Sequence, residues 1–297
     1  MQTRLTLIHA MSPLHAGTGQ SVGAIDLPIA RERPTGIPLI PGSSIKGALR
    51  ARSGRKDQIT FDVFGPETEN SSEHSGAVQF SDAHLLLLPV RSVRGTFAWV
   101  TSRYLIRRFA RTAGEAGFKL DDLPDSPLDK GCCVLNDTLA IPLRDEKRVV
   151  FEDLDFTVEN QQTAKLESFA AELGKRLFPE GSTDWADWRA CLKDRICLIH
   201  DDIMSFLLET ATEVNAHIRL DNDTKTVQRG ALWYQESLPA ESVLAGIAVA
   251  ADVKRNDRKS EDLLHHVSSL TNSLVQLGGK ATTGQGSCFV RIAGGRS

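Results

Sequence analysis

Carboxylates are scarce at the start of this 297-residue chain: Asp26, in the stretch GTGQSVGAIDLPIARE, is the first, and only Glu32 joins it before Asp57. A lone carboxylate in a glycine-rich loop either bonds its own backbone or stands free to do chemistry. His15 precedes it near a strand end, where a histidine is either structural or an acid and base. Trp233, Tyr234 and Glu236 stand together in ALWYQES; aromatics there either fill a core or stack on bases and wedge between them. PGSSIKGALR sets the hydroxyls of Ser43 and Ser44 beside Lys46 and Arg50 at a helix start, where free N–H groups and cations can face one polyanion. A solvated basic helix is the plain alternative. GGKATTGQG, running from Gly278 and Gly279 through Lys280, Thr282 and Gly284 to Gly286, lets backbone N–H groups approach phosphates closely. A helix terminus would account for its first glycines and leaves Gly284 and Gly286 without a reason.

Two nucleotide motifs are excluded by spacing. In GTGQSVG the third glycine, Gly23, is displaced by one residue from a dinucleotide fingerprint, and DLP blocks the helix that must follow. In GGKATTGQG, Leu274 stands where a phosphate loop needs its first glycine. The five cysteines include an adjacent pair, Cys132 and Cys133, and no C-x-x-C, which fits reduced thiols better than disulfides or a structural zinc. His265 and His266, adjacent on a helix, point in different directions and make a poor metal pair.

The formal charge of −3 argues against a nonspecific nucleic-acid sponge, but the charge is segregated along the chain. Residues 28–56 hold Arg31, Arg33, Lys46, Arg50, Arg52, Arg55 and Lys56 against Glu32 alone, and residues 83–114 hold six arginines and no acid. Among the latter, Arg103, Arg107 and Arg111 share a helical face, an arrangement more often solvated than bound. No apolar run approaches a membrane span and no signal core follows the N-terminal charges, so a cytoplasmic protein is expected.

The elements that must position these groups alternate without a regular βαβ period, which predicts an α+β fold in one domain. TRLTLIHA reads as an opening strand with Leu5 and Leu7 on one face, followed by a loop to about Pro41. PGSSIKGALRARS predicts a short helix capped by a serine. AVQFSDAHLLLLPV is β-rich, TSRYLIRRFARTAG a helix closed by Gly114, and residues 121–130 a surface loop. RVVFEDLDFTV and RICLIHDD read as strands, AKLESFAAELGKRLF as a helix stopped by Pro179 and Gly181, and DIMSFLLETAT as another. Residues 216–236 predict a hairpin turning in DNDT. SEDLLHHVSSLTNSLVQLGG predicts a helix capped by Ser260, with Leu263, Val267, Leu270 and Leu274 on one face and glycine at its end, before a last strand in SCFVRI.

Four blocks, residues 12–50, 78–109, 212–239 and 278–286, in this order resemble the repeated backbone subunit of type III-B CRISPR effectors, the Cmr complexes, within the RAMP superfamily. The resemblance implies a modified ferredoxin-like, RRM-like palm with insertions, a helical and loop insertion at about 115–190 and a β-hairpin thumb at about 214–240. It also implies a helical filament of copies of the chain along a CRISPR guide RNA, with other Cmr subunits, cutting complementary single-stranded target RNA at regular intervals. In that family an aspartate in the loop after the first strand is needed for cutting, and Asp26 matches it. The chemistry implied is attack by the neighbouring ribose 2′-OH with a divalent cation, Mg²⁺ or Mn²⁺, which Asp26 would hold unless it orients the 2′-OH instead. His15, Tyr234 and Glu236 become accessory catalytic residues, with Trp233 on the RNA. Ser43, Ser44, Lys46 and Arg50 and the loop Gly278–Gly286 would take the guide backbone. The competing readings are a non-catalytic structural RNA-binding backbone subunit, and a nuclease that processes precursor guide RNA.

Overall fold

The computed structural model describes residues 1–19, 25–54, 57–66, 75–179 and 183–294. Gly23, Arg55, Lys56 and Gly181 lie outside the described residues. The chain runs β1 (Gln2–Ala10), β2 (Leu39–Ile40), α1 (Gly42–Ser53), α2 (Gln58–Phe64), β3 (Val78–Phe80), β4 (Ala83–Ser92), β5 (Thr96–Ser102) and α3 (Arg103–Glu115). There follow β6 (Cys132–Val134), β7 (Ile141–Leu143), β8 (Glu146–Phe151), β9 (Leu154–Glu159), α4 (Thr163–Leu177), α5 (Thr183–Arg195), β10 (Ile196–Ile199) and α6 (Asp201–Thr210). The last part is β11 (Glu213–Leu220), β12 (Val227–Ser237), β13 (Val243–Ala250), α7 (Ser260–Ser269), β14 (Val275–Gln276) and β15 (Ser287–Ala293).

β1 is central and buried on both faces. Leu5 and Leu7 enter one apolar core, Ile8 and Ala10 the other, as the two-residue period of a strand dictates. Both neighbours of β1, β13 and β15, are antiparallel to it, and β13 continues the sheet to β4. β4 is long enough to serve a second sheet, which runs β4-β5-β10-β6-β9-β8-β7; the Ser92–Phe151 pair brings β8 back to β4 and closes six strands into a barrel-like ring. Helices α1, α2, α6 and α7 pack into one core, and α3, α4 and α5 into the other. The mixed α+β class follows. The hairpin β11–β12 pairs with neither sheet.

Several elements depart from their sequence signals. α1 starts at Gly42 with no side-chain cap from a serine; the Asp82 carboxylate accepts the Gly42 N–H at 2.8 Å and does that work from the turn between β3 and β4. α3 runs through Gly114 and turns at Gly117, whose φ of 82° supplies the left-handed residue, because one interior glycine costs a helix only about 1 kcal/mol. RVVFEDLDFTV is two strands, β8 and β9, turning at Glu152 with φ 50°. α7 ends at Ser269 rather than at a glycine; β14 pairs with β15 there, and Leu274 is exposed. Ser260 is the first residue of α7 rather than its cap, its N–H taken by Asp252 at 2.7 Å. β5 and α5 lay outside the predicted elements, and the stretch 115–190 carries four strands as well as helices and loop.

Candidate active site and nucleic-acid interface

The long connection after β1 folds back over the base of the β11–β12 hairpin. Leu14 exchanges both backbone hydrogen bonds with Leu238, at 2.8 and 2.9 Å, and Ala30 donates to Ala16 O at 2.7 Å. Leu27 runs parallel to β12, donating to Tyr234 O at 3.0 Å and accepting from Glu236 N at 2.9 Å. This short added strand brings Asp26 to the hairpin. Its Oδ2 accepts the Tyr234 N–H at 2.8 Å, and the residue is exposed. Among the described residues Oδ1 has no hydrogen-bond partner, so Asp26 presents one free carboxylate oxygen at the root of the hairpin.

His15 and Glu236 lie beneath this surface. The Nδ1 of His15 is 2.7 Å from the Glu236 carbonyl, which can only accept, so the proton sits on Nδ1. Gly17 is required beside it: a Cβ there would lie 2.7 Å from His15 Nε2. Glu236 is 3% exposed, and its carboxylate takes three donors, Ile29 N–H at 3.0 Å, Arg31 Nη2 at 2.5 Å and the Thr212 hydroxyl at 3.0 Å. A carboxylate so engaged is a structural tie, unlike the exposed Asp26. The Tyr234 side chain is exposed on one hairpin face, and Trp233 is on the other, stacked on His217 at 5.6 Å with 16° between the rings.

The glycine-rich loop joins the same cluster. Gly279 N–H donates to His15 O at 2.9 Å, Gly286 N–H to Pro13 O at 2.9 Å, and Gln235 Nε2 to Gln285 Oε1 at 2.6 Å. The structure corrects the view that Gly284 and Gly286 lack a structural reason. Both take positive φ, 80° and 81°, and a Cβ on Gly286 would lie 2.1 Å from Leu277 O. Gly278, φ 73°, has no room either, with a Cβ 2.3 Å from His15 O; Gly279 has room. Lys280 and Thr282 are exposed at the tip.

Ser43, Lys46 and Arg50 line a separate cavity of about 520 Å³ with Phe64 and Phe80, whose rings stack 6.2 Å apart, and Ser44 is outside that lining. Arg50 is tied to Pro66 O at 2.8 Å, and Arg52 to Ser273. Three arginines of the two arginine-rich stretches are paired with acids. Arg31 meets Glu236, Arg91 meets Glu152 and Asp153, and Arg108 grips Glu32 through two bonds of 2.6 and 2.7 Å. That grip, with the Thr35 hydroxyl, holds the Glu32 carboxyl down at about 2 against the burial that opposes it. Nothing in the sequence singles out the bonds that Arg31, Thr212 and Gln235 make here, since what they touch is distant along the chain.

The chain matches the RAMP superfamily over residues 7–289 and belongs to it. More particularly, it is 31% identical to the CRISPR system Cmr endoribonuclease Cmr4 of Pyrococcus furiosus over 98% of this chain and 95% of that one. The crystal structure of oligomeric Cmr4 from Pyrococcus furiosus superposes with a TM-score of 0.75 at 25% identity, covering 100% of both chains. A chain of the type III-B Cmr-beta complex bound to cognate target RNA shares the fold, with a TM-score of 0.73 at 20% identity over 98% of this chain and 97% of that one.

Proposed function

We propose that this chain is the guide-RNA-binding filament subunit of a type III-B CRISPR effector and cuts complementary target RNA at regular intervals, acting only within the assembled complex. Its near full-length similarity to an endoribonuclease of a Cmr complex supports the class of reaction. One observation carries the assignment of the site: Asp26, held by the Tyr234 N–H, offers a free oxygen where the hairpin meets the body. The strand order β15-β1-β13-β4, with α1 and α7 in the connections, supports reading the main sheet as a ferredoxin-like palm and the hairpin as its thumb. The relative crystallised as an oligomer supports self-association into a filament, and the complex bound to target RNA supports an RNA partner with other Cmr subunits. Among the described residues no helix is long and apolar enough to cross a membrane.

In the proposed reaction the thumb splays one nucleotide, so that its 2′-oxygen can line up with the departing 5′-oxygen, a geometry A-form RNA forbids. The O2′–P bond forms and the P–O5′ bond breaks, leaving a 2′,3′-cyclic phosphate and a 5′-hydroxyl; the 2′-OH proton is lost and O5′ gains one. Asp26 Oδ1 accepts from the attacking 2′-OH or holds a cation. Asp26, with its one free oxygen, is the residue that would hold Mg²⁺ or Mn²⁺, with RNA phosphates and water as the other ligands. Such a cation would supply charge neutralisation at the scissile phosphate. His15 and Glu236 hold the frame, Tyr234 presents the N–H that aims Asp26, and Trp233 offers an aromatic face to a splayed base. Lys46 with Ser43, Ser44 and Arg50, and the loop bearing Lys280 and Thr282, take the guide backbone without regard to sequence.

The non-catalytic reading draws on one fact: of the four candidate catalytic residues, His15 and Glu236 are committed to internal bonds. Asp26→Asn separates the two readings. In the assembled complex, target cleavage should fall about 100-fold or more, with assembly and target affinity unchanged. Cleavage at the parent rate would leave a scaffold.

A further inference from the structure

We infer that Arg31, which the sequence marks only as one cation of a basic run, is the positioning residue that fixes Asp26 against the hairpin. This rests on the reading of Asp26 as the group that acts on target RNA. The Arg31 guanidinium reaches three acceptors from three parts of the chain. Nη1 donates to Gly36 O at 2.9 Å, and Nη2 donates to Leu208 O at 2.8 Å, in the last turn of α6, and to Glu236 Oε1 at 2.5 Å on β12. The Glu236 side chain is 4% exposed and that of Arg31 23%. Glu236 Oε2 in turn holds the Ile29 N–H at 3.0 Å, so the pair binds the segment that follows Asp26 to the hairpin.

The geometry around Asp26 depends on this clasp. The segment 25–31 meets β12 through Leu27 and Ile29, and the Tyr234 N–H that aims Asp26 lies on the same strand as Glu236. Without its cation, the Glu236 carboxylate is a buried charge short of a donor, and it draws water or turns outward. The Ile29 N–H then loses its acceptor, and the segment is free to shift along β12. A displacement of about 1 Å at a reacting group costs about 100-fold in rate. Lysine cannot replace the arginine fully. An ammonium is a single compact charge that can meet Glu236, but it does not span three acceptors with a fixed fork.

A phosphate-binding role for Arg31 is the rival, and it is made an outcome of the test. Arg31→Gln, Arg31→Lys and Asp26→Asn are each assembled with guide RNA and the other subunits. Single-turnover cleavage, target affinity over a range of salt, the pH profile of the rate and amide hydrogen exchange are measured. We expect Arg31→Gln to cut about 30- to 100-fold more slowly, with target affinity within about twofold, the same salt slope and an unshifted pH profile. Exchange should quicken in residues 25–31 and not in β1. Arg31→Lys should recover part of the rate and part of the protection. Weaker RNA binding with a shallower salt slope would overturn the inference and make Arg31 a phosphate ligand; loss of protection in β1 as well would make it a general stabiliser. Should Asp26→Asn cut normally, the reading of Asp26 falls on its own, and the exchange result still decides Arg31: unchanged protection of 25–31 in Arg31→Gln overturns the inference.

Discussion

The two halves of the β11–β12 hairpin are built from the same paired strands and meet opposite surroundings. At its base Gln235, Glu236, Ser237 and Leu238 are at most 3% exposed, and Gln235, Glu236 and Leu238 are each tied to a segment outside the hairpin by a backbone or side-chain bond. Farther out, Ile218, Leu220, Val227 and Leu232 are all exposed, and the register puts Ile218 opposite Leu232 and Leu220 opposite Val227 on one face. A two-stranded ribbon alone is marginal in water, so the outer half takes its order from the base. The contrast teaches where precision resides: a carboxylate that must be aimed sits on the half whose backbone is fixed from several sides, and the half left apolar and bare suits contact with something outside the chain.

The largest expected effect breaks the base. Gly278→Ala puts a methyl against His15 O at a positive φ, whereas at Gly279 the nearest atom to a new Cβ is 3.8 Å away. Gly278→Ala should lower stability by about 3 kcal/mol, by urea unfolding of the isolated chain, and Gly279→Ala by under about 1. If the two cost the same, the glycines serve the RNA and not the frame. The glycine pair also marks the limit of what could be read in the sequence. The opening strand, the hairpin with its turn at Asp221, the basic helix and the lone Asp26 were legible, because each rests on period, turn chemistry or local composition. The clasp was not. Glu236, an acid beside aromatics, reads as a catalytic candidate like Asp26 until Arg31 and Thr212 arrive from distant positions; α1 likewise takes its cap from Asp82 rather than from the serines beside it.

A smaller effect comes from acid. Glu32 carries the turn whose Gly36 carbonyl receives Arg31, and Arg108 anchors it to α3. Its carboxyl titrates at about 2 when folded, against 4.5 for the free group, first because of the Arg108 hydrogen bonds. A lowered folded value means that the stabilisation is complete above about 4.5 and is lost as the pH falls towards 2. Glu32→Gln should therefore cost about 2 kcal/mol at pH 7, discounted for partial exposure, and the gap from the parent should close between about pH 4.5 and 2. A gap that stays constant down to pH 2 would mean that the carboxylate contributes nothing through its charge.

The smallest effect on stability, and the sharpest test of the contrast, lies in the outer half. Ile218→Ser together with Leu232→Ser removes apolar surface that already faces water, leaves the cross-strand backbone bonds in place and touches no bond of the base. The folding of the isolated chain should change by no more than about 0.5 kcal/mol. If the bare face is where the hairpin meets a neighbour in the filament, the same pair of changes should weaken self-association, read by sedimentation, and leave the isolated fold intact. Should the double variant unfold more easily by about 2 kcal/mol while assembling normally, the outer strands would belong to the rigid frame, and the division between an aimed base and an outward-facing tip would fail.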